Sequence, residues 1–379
     1  MPRIGLLTSG GDCQALNATM RGIVKTMINN AHEPVEIYGF KDGYQGLIYG
    51  RYDLMKPSDF SGILTRGGTI LGTSRTPFKR LDTPEEDGVE KVPAMVKTYQ
   101  KLRLDCLFML GGNGSTKTAN RLREEGLNVI ALPKTIDNDT FGTDLTFGFT
   151  SAVEVATRCI DDIHTTASSH GRVFVIEIMG HKVGWIPLYS AVAGGADVCL
   201  IPEIPYDIAN VQAAIERRME AGSRFTIVVV AEGAISKQDA ALSKKEYKAK
   251  LAERTSPSIA YDLAHQIEQA TGRETRVAIP GHTQRGGAPD AQDRIFASQC
   301  GVGRGDDVAV MPSRRVVEFR LDEGVESVAG ALGQILFERG DARPAGGVGG
   351  FEDVVRPQLS ERLAGDCDRF RQRCAVGMQ

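Results

Sequence analysis

The sequence predicts an α/β fold with mostly parallel sheets, because strand-like and helix-like stretches alternate along most of the chain. The apolar run 3–7 leads into a glycine pair at 10–11, and a segment with helical periodicity follows. The run 104–110 leads into a second glycine pair at 111–112, and helical residues follow it as well. A strand, a glycine turn and a helix form the opening unit of doubly wound domains, so we expect a sheet of this kind.

The alternation resumes after residue 149 and predicts a second domain with its own sheet. Apolar runs predict strands at 173–178, 198–201, 225–230 and 276–279. The stretch 236–257 is rich in charge and interrupts this rhythm, which indicates an exposed helical insertion. The residues from about 345 to 379 are expected to form a C-terminal tail of mixed charge.

The composition is typical of a globular protein and excludes several classes of function. The chain has 379 residues, of which 41% are hydrophobic and 25% charged, and its formal net charge is −3. A general nucleic-acid binder would carry a clear basic excess, so nucleic acid is not expected as a partner. No stretch approaches about 18 uninterrupted apolar residues and no secretory signal is seen, so we expect a cytoplasmic protein without membrane contact. Seven cysteines without a CxxC pair fit reduced thiols in that compartment.

The stretch 132–147, which reads LPKTIDNDTFGTDLTF, carries a dense set of chemically active side chains. Thr135, Asp137 and Asp139 follow the apolar run 128–132, which predicts a polar loop at the end of a third strand of the first sheet. A buried strand would not hold two carboxylates so close together without partners. An Asp-Asn-Asp sequence also forms ordinary turns through Asx hydrogen bonds, and the sequence leaves this alternative open.

These residue types match the parts that phosphoryl transfer requires. Asp137 is a candidate general base, Asp139 a candidate carboxylate beside a metal, and Thr135 a candidate donor to the transferring group. Arg75 ends the glycine-rich stretch 67–75, and its planar guanidinium suits a bridge between two phosphates. The glycine pairs let backbone N–H groups approach a phosphate. Neither a GxxxxGKS/T nor a GxGxxG pattern is present, so a P-loop and a dinucleotide fingerprint are disfavoured.

Seven segments, in their order along the chain, resemble the 6-phosphofructokinase family. They are LTSGGDCQALNA at 7–18, GGTILGTSR at 67–75, GGNGS at 111–115, PKTIDND at 133–139, HGRVFVIEIMG at 170–180, AGGAD at 193–197 and GHTQRGG at 281–287. The resemblance implies transfer of a phosphoryl group to O1 of fructose 6-phosphate in glycolysis, with Mg²⁺ as cofactor. It also implies two Rossmann-like three-layer domains, with the active site in the cleft between them.

The resemblance further implies domain limits and a quaternary structure. The phosphoryl-donor (nucleotide) domain would comprise 1–148 and about 284–330, and the fructose 6-phosphate domain would comprise 149–283. In the family, the arginines that match Arg172 and Arg276 reach in from a neighbouring subunit. We therefore expect a homo-oligomer, a tetramer or a dimer, with sites shared between subunits.

The family's site residues carry over onto the matching positions of these motifs. The donor is expected to contact Gly11, Tyr44, Arg75, Gly112, Asn113, Gly114, Ser115 and Lys134. Fructose 6-phosphate, as a whole substrate, is expected to contact Arg172, Met179, Gly180, His181, Glu232, Arg276, His282 and Arg285. Asn113 and Asp139 are the expected metal ligands, and Asn113 stands where many members have an Asp, which removes a charge from that site. His181 stands where an Arg usually follows Met-Gly.

Two positions bear on the identity of the donor. An Asp at position 114 resembles pyrophosphate users, because it would occupy the place of the ATP α-phosphate, whereas Gly114 leaves room. Lys134 resembles pyrophosphate users, but a lysine can pair with a phosphate of either donor. Steric exclusion is the harder effect to overcome, so the pattern favours ATP, with a pyrophosphate-dependent, reversible phosphotransferase as the alternative. A catalytically silent relative and a lipid or NAD kinase are disfavoured by the intact Asp137, Asp139 and GHTQRGG.

Overall fold

The computed structural model describes residues 1–31 and 33–309. The expected tail at about 345–379 and the 310–330 part of the expected donor domain lie outside these residues. Packing divides the described chain into two units, one formed by Met1–Val155 with the residues from His282 onward and the other by Ala156–Gly281. The domain limits expected from the sequence stay a prediction.

Each unit contains one sheet. The strands of the first are β1 (Arg3–Ser9), β2 (Glu36–Phe40), β3 (Tyr52–Met55), β4 (Cys106–Gly111) and β5 (Val129–Pro133). Their order is β3-β2-β1-β4-β5, and only β2 and β3 pair antiparallel. The strands of the second are β6 (Val173–Ile178), β7 (Val198–Leu200), β8 (Thr226–Ala231) and β9 (Thr275–Ala278). Their order is β7-β8-β6-β9 with parallel pairs throughout, so the predicted α/β class with mostly parallel sheets is confirmed.

Helices connect the strands of both sheets. They are α1 (Leu16–Asn30), α2 (Tyr44–Tyr49), α3 (Lys91–Leu102), α4 (Asn113–Glu124), α5 (Phe149–His170), α6 (Trp185–Ala193), α7 (Ile208–Glu220), α8 (Lys237–Ala240), α9 (Lys244–Glu253), α10 (Ile259–Thr271) and α11 (Ala291–Ala309). The charged stretch 236–257 contains α8 and α9, and neither helix has a buried residue. Within the described chain, no helix is both long enough and apolar enough to cross a membrane.

The sequence predicts a loop at 41–46, whereas in the structure α2 begins at Tyr44 and the edge strand β3 follows. Gly43 has a φ of 65°, which allows the chain to turn directly into the helix. The helix has six residues, which is too short a window for helical periodicity to be read. Most residues of β3 are exposed, so this strand lacks the apolar alternation that identifies a strand in sequence.

The central strands of both sheets are buried because helices cover them. All residues of β4 and of β8 are buried, as expected for parallel strands enclosed on two faces. In the first unit α1 packs on α11 at close range, since a Cβ added at Gly22 would lie 2.8 Å from the backbone oxygen of Ser298. The rigid sheets fix where each strand ends, and the candidate site residues follow those ends.

Candidate active site

Three strands of the first sheet end in one row. Ser9 at the end of β1 pairs with Gly111 at the end of β4, and Gly111 pairs with Pro133 at the end of β5. The loops that begin at these positions therefore adjoin at the carboxyl edge of the sheet, where such folds bind ligands. Ser115 Oγ donates to Ser9 Oγ at 2.9 Å and links two of the three loops.

The loop after β5 is organised around Asn138, a residue that the sequence analysis did not select. Asn138 has a φ of 52°, in the left-handed region that Asn tolerates better than most residues. Its Oδ1 accepts from Thr146 N at 2.9 Å, and Thr146 Oγ1 donates to the carbonyl of Thr135 at 2.7 Å. The left-handed turn therefore lies between Asp137 and Asp139, and the Asx hydrogen bonds form within the candidate catalytic loop. An Asn between two Asp residues was the signal that could have identified it.

Asn113, at the start of α4, contacts the same loop. Its Nδ2 donates to the carbonyl of Asp139 at 2.8 Å, which leaves the amide oxygen as an acceptor. The side chains of Asn113 and Asp139 are both exposed. Among the described residues there is no group of three or more His, Cys, Asp or Glu side chains arranged to hold a metal. An amide oxygen and a carboxylate nevertheless suit Mg²⁺, which is usually bound through one or two carboxylates, waters and substrate phosphates.

The loop after β1 is held at three successive carbonyls. Thr73 Oγ1 donates to the carbonyl of Gly10 at 2.7 Å, the Lys134 ammonium donates to that of Gly11, and Arg285 Nη1 donates to that of Asp12 at 3.1 Å. The three donors come from separate stretches of the first unit. Lys134 and Arg285 were predicted as site residues from the sequence, whereas Thr73 was not, although it lies in the glycine-rich stretch 67–75.

Lys134 is buried, with 4% of its surface exposed. Burial lowers the pKa of its ammonium, Arg285 lowers it further, and the carboxylates of Asp12 and Asp137 act in the opposite direction. The sequence-based expectation was that this lysine pairs with a donor phosphate. In the structure its ammonium donates to the carbonyl of Gly11, and the expected contact with a donor phosphate stays a prediction.

Tyr44 is also buried, and its expected contact with the donor stays a prediction. The side chain has no exposed surface, and its hydroxyl donates to the carbonyl of Ser115 at 2.9 Å. Tyr44 therefore supports the first turn of α4 from the protein interior. Burial of an aromatic side chain cannot be read from one tyrosine in a sequence, because tyrosine is common in both environments.

The glycines of the loop after β4 differ in the space around them. A Cβ added at Gly114 would meet no atom within 4 Å, whereas one added at Gly112 would lie 3.3 Å from the carbonyl of Lys134. The space at Gly114 agrees with the room that the sequence analysis expected there. Arg75 and His282 are exposed and Arg285 is partly buried.

In the second unit, Glu232 organises the turn after β6. Its Oε1 accepts from the backbone N–H of His181 at 2.6 Å and from that of Gly180 at 3.3 Å. His181 adopts a φ of 52°, and a Cβ added at Gly233 would lie 2.1 Å from the His181 carbonyl. The structure therefore brings together Gly180, His181 and Glu232, next to the partly buried Met179.

Arg172 and Arg276 share one carboxylate, that of Glu274, which the sequence analysis missed. Arg172 Nε lies 2.8 Å from Glu274 Oε2, and Arg276 Nη2 pairs with Oε1 of the same residue. The hydrogen bond from Arg172 is the chief cause that lowers the pKa of Glu274. The register of the sheet explains this proximity. Val173 pairs with Thr275 in the parallel strands β6 and β9, so Arg172 and Glu274 lie side by side just before the paired residues. Two guanidinium groups around one carboxylate form a pair that also suits a phosphate.

Glycine loops, hydroxyls and carboxylates at the ends of parallel strands are typical of the class of α/β proteins that bind phosphorylated ligands. The family model described as Phosphofructokinase matches residues 3–305. The chain is 53% identical to "ATP-dependent 6-phosphofructokinase" of Spirochaeta thermophila, over 86% of this chain and 91% of that protein. It is 43% identical to "Pyrophosphate--fructose 6-phosphate 1-phosphotransferase" of Amycolatopsis methanolica, over 81% and 87% of the two chains.

A solved structure agrees with these similarities. Phosphofructokinase of Pichia pastoris in the T-state superposes with a TM-score of 0.70 at 32% identity, over 82% of this chain. The chain spans only 33% of the length of that relative. The chain belongs to the phosphofructokinase family, and the resemblance recognised from its motifs is confirmed.

Proposed function

We propose that this chain transfers the terminal phosphoryl group of ATP to O1 of fructose 6-phosphate, giving fructose 1,6-bisphosphate and ADP in glycolysis. Family membership and the relative named as ATP-dependent at 53% identity support the reaction and the donor. The structural observation that carries the proposal is the common row in which β1, β4 and β5 end. It makes the loops of Gly11, Asn113 and Asp137 neighbours, as a shared phosphoryl-transfer site requires.

Asp137 acts as the general base of this reaction. It accepts the proton of the O1 hydroxyl while that oxygen bonds to the γ-phosphorus of the donor. The bond from the γ-phosphorus to the oxygen bridging the β-phosphate breaks, and ADP leaves with the electron pair. Thr135 and Arg75 stabilise the charge on the transferring group. The turn at Asn138 supports these roles, because it fixes the backbone that carries both Asp137 and Thr135.

Asn113 and Asp139 would hold Mg²⁺. The hydrogen bond between them supports this assignment, because it leaves an amide oxygen and a carboxylate as hard oxygen ligands close to the donor loop. When bound, the ion neutralises charge on the donor's phosphate oxygens.

The sugar phosphate is bound by Arg172, Arg276, His282 and Arg285, with Met179, Gly180, His181 and Glu232 at the sugar hydroxyls. The pairing of Arg172 and Arg276 with Glu274 supports the first two roles, since a phosphate can take the place of that carboxylate. We also propose a cytoplasmic homo-oligomer, a tetramer or a dimer, with sites shared between subunits. The five free cysteines of the described chain suit that compartment.

The donor is tested by assaying the purified protein with fructose 6-phosphate, Mg²⁺ and either ATP or pyrophosphate. We expect fructose 1,6-bisphosphate to form with ATP. Activity with pyrophosphate alone would favour the alternative, a reversible pyrophosphate-dependent phosphotransferase, for which the similarity to the Amycolatopsis methanolica enzyme is the specific observation. Activity with neither donor would contradict the proposed reaction.

The base is tested by Asp137→Ser. The substitution should lower kcat by about 10² or more and change the KM for fructose 6-phosphate little, because general base catalysis typically contributes about 10²- to 10⁴-fold. Asp144→Ser is the matched control, since Asp144 is an exposed carboxylate in the same loop. A kcat for Asp137→Ser close to that of the control would assign the base to another residue.

A further inference from the structure

The three carbonyls of Gly10, Gly11 and Asp12 determine where the next three N–H groups point. The described peptide bonds are all trans, so each N–H is directed opposite to the carbonyl of its own peptide group. The carbonyls accept from Thr73, Lys134 and Arg285. The N–H groups of Gly11, Asp12 and Cys13 therefore point away from these three donors.

These three N–H groups are available to a ligand. Within the part of the chain that the structure describes, none of them donates to a backbone or side-chain acceptor. The N–H of Gly10, by contrast, donates to the carbonyl of Ser74 at 3.0 Å. Successive N–H groups without an internal acceptor form the usual backbone site for an anion such as a phosphate. The loop is therefore arranged for an anion before any ligand binds.

Lys134 is held at this loop by a hydrogen bond and by nearby opposite charges. A buried ammonium is costly unless its charge and its N–H groups are compensated. The carbonyl of Gly11 accepts its hydrogen bond, and Asp12 and Asp137 supply opposite charge. The bond from Lys134 to the carbonyl of Gly11 therefore holds the central peptide of the loop.

We propose that Lys134 is a positioning residue, which together with Thr73 and Arg285 orients the N–H groups of Gly11, Asp12 and Cys13 toward the phosphates of the donor. Lys134 then serves any phosphate donor equally, because it acts on the loop rather than on the donor. The inference rests on the proposed function, since it concerns the donor side of that same reaction.

Lys134→Met and Thr73→Val each remove one of the three hydrogen bonds. Calorimetry measures the affinity of each variant for ADP and for pyrophosphate, and steady-state kinetics measure KM and kcat. We expect each variant to bind both ligands about tenfold more weakly, the size expected for one lost hydrogen bond. The KM for ATP should rise correspondingly, with a smaller effect on kcat. Thr73→Ser keeps the hydroxyl and should restore the wild-type affinity.

A double variant separates positioning from direct contact. If Lys134 and Thr73 act through the same loop, Lys134→Met with Thr73→Val should weaken binding little more than either change alone. Lys91→Met is the matched control, because Lys91 is likewise buried and donates to a backbone carbonyl, that of Thr83. It should leave both affinities at the wild-type value.

Three outcomes would overturn the inference. They are a change in the ratio of ADP to pyrophosphate affinity in Lys134→Met, full additivity in the double variant, and wild-type affinities in Thr73→Val. A wild-type protein that binds ADP but produces no fructose 1,6-bisphosphate would contradict the proposed function, while the affinities would still test the loop. A wild-type protein that binds neither ligand would overturn both.

Discussion

Asn138 shows how one residue serves two interpretations of the same sequence. The Asp-Asn-Asp pattern predicts either an Asx turn or a pair of working carboxylates. In the structure the Asn forms the turn, with its φ of 52° and its bond from Thr146, while the flanking Asp137 and Asp139 are left to other roles. This left-handed residue lies between the two carboxylates that we propose as the base and as a metal ligand.

Gly114 offers a test of donor choice at the scale of a single side chain. Because a side chain added there meets no atom within 4 Å, Gly114→Asp should preserve the fold. We expect it to lower kcat/KM for ATP by about 10² or more, since a carboxylate would repel the α-phosphate and fill its space. Steady-state kinetics with ATP check this. Gly114→Ala is the control for size without charge, and equal losses in both variants would assign the effect to volume rather than to repulsion.

The motifs identified individual site residues but did not predict how deeply each side chain is buried. The motifs identified Lys134 and Tyr44, and in the structure both side chains are buried. Thr73 was missed because its partner, Gly10, lies 63 positions away in the sequence. Glu274 was missed because its position depends on the register between β6 and β9. Sequence spacing alone does not carry that information.

At the scale of elements, Asp293 joins α5 to α11. Its carboxylate accepts from Gly148 N at 2.8 Å and from Ser151 N at 3.0 Å, at the beginning of α5. Asp290 Oδ1 accepts from Asp293 N at 2.6 Å and caps α11 in turn. Asp293 is completely buried, and α5 starts where the loop of Asp137 ends. The two helices therefore begin from one shared cluster.

Asp293→Ala should destabilise the protein substantially. It leaves two buried backbone N–H groups without an acceptor, and each costs about 1–3 kcal/mol, so the free energy of unfolding should fall by at least about 2 kcal/mol. Denaturant unfolding measures this. The control is Asp262→Ala, which breaks only the partly exposed ion pair with Arg254. A loss no greater than that of the control would mean that another group caps α5.

Most strands of the sheets were predictable, because buried parallel strands appear as apolar runs in the sequence. The runs before residues 10 and 111 became β1 and β4, and the apolar stretches after 149 became the second sheet. The exceptions, α2 and β3, are short and lie at an edge, where neither periodicity nor burial marks the chain. The fold class thus follows from the pattern of apolar residues in the sequence, whereas the elements at the edge of the first sheet depend on tertiary packing.

For the molecule as a whole, the buried Lys134 makes the free energy of unfolding depend on pH in the alkaline range. Its folded pKa is lowered by burial, whereas the unfolded value is about 10.4. Between the two values the unfolded chain binds more protons, so this residue makes the free energy of unfolding rise as pH rises. Denaturation of wild type and Lys134→Met from about pH 7 to 10 should show wild type gaining relative to the variant. Parallel curves would show that the ammonium is not penalised in the fold.

The contact of α1 with α11 has a consequence for biosynthesis. Gln14 Nε2 donates to the carbonyl of Gln284, 270 positions later, and α1 packs on α11 beyond it. A ribosome adds about 5–20 residues per second, so the first-made strand and helix wait roughly 15–50 s for the segment that completes their unit. The described part of the second unit, Ala156–Gly281, is made during that interval. Helix α1 is thus made well before α11, the helix on which it packs.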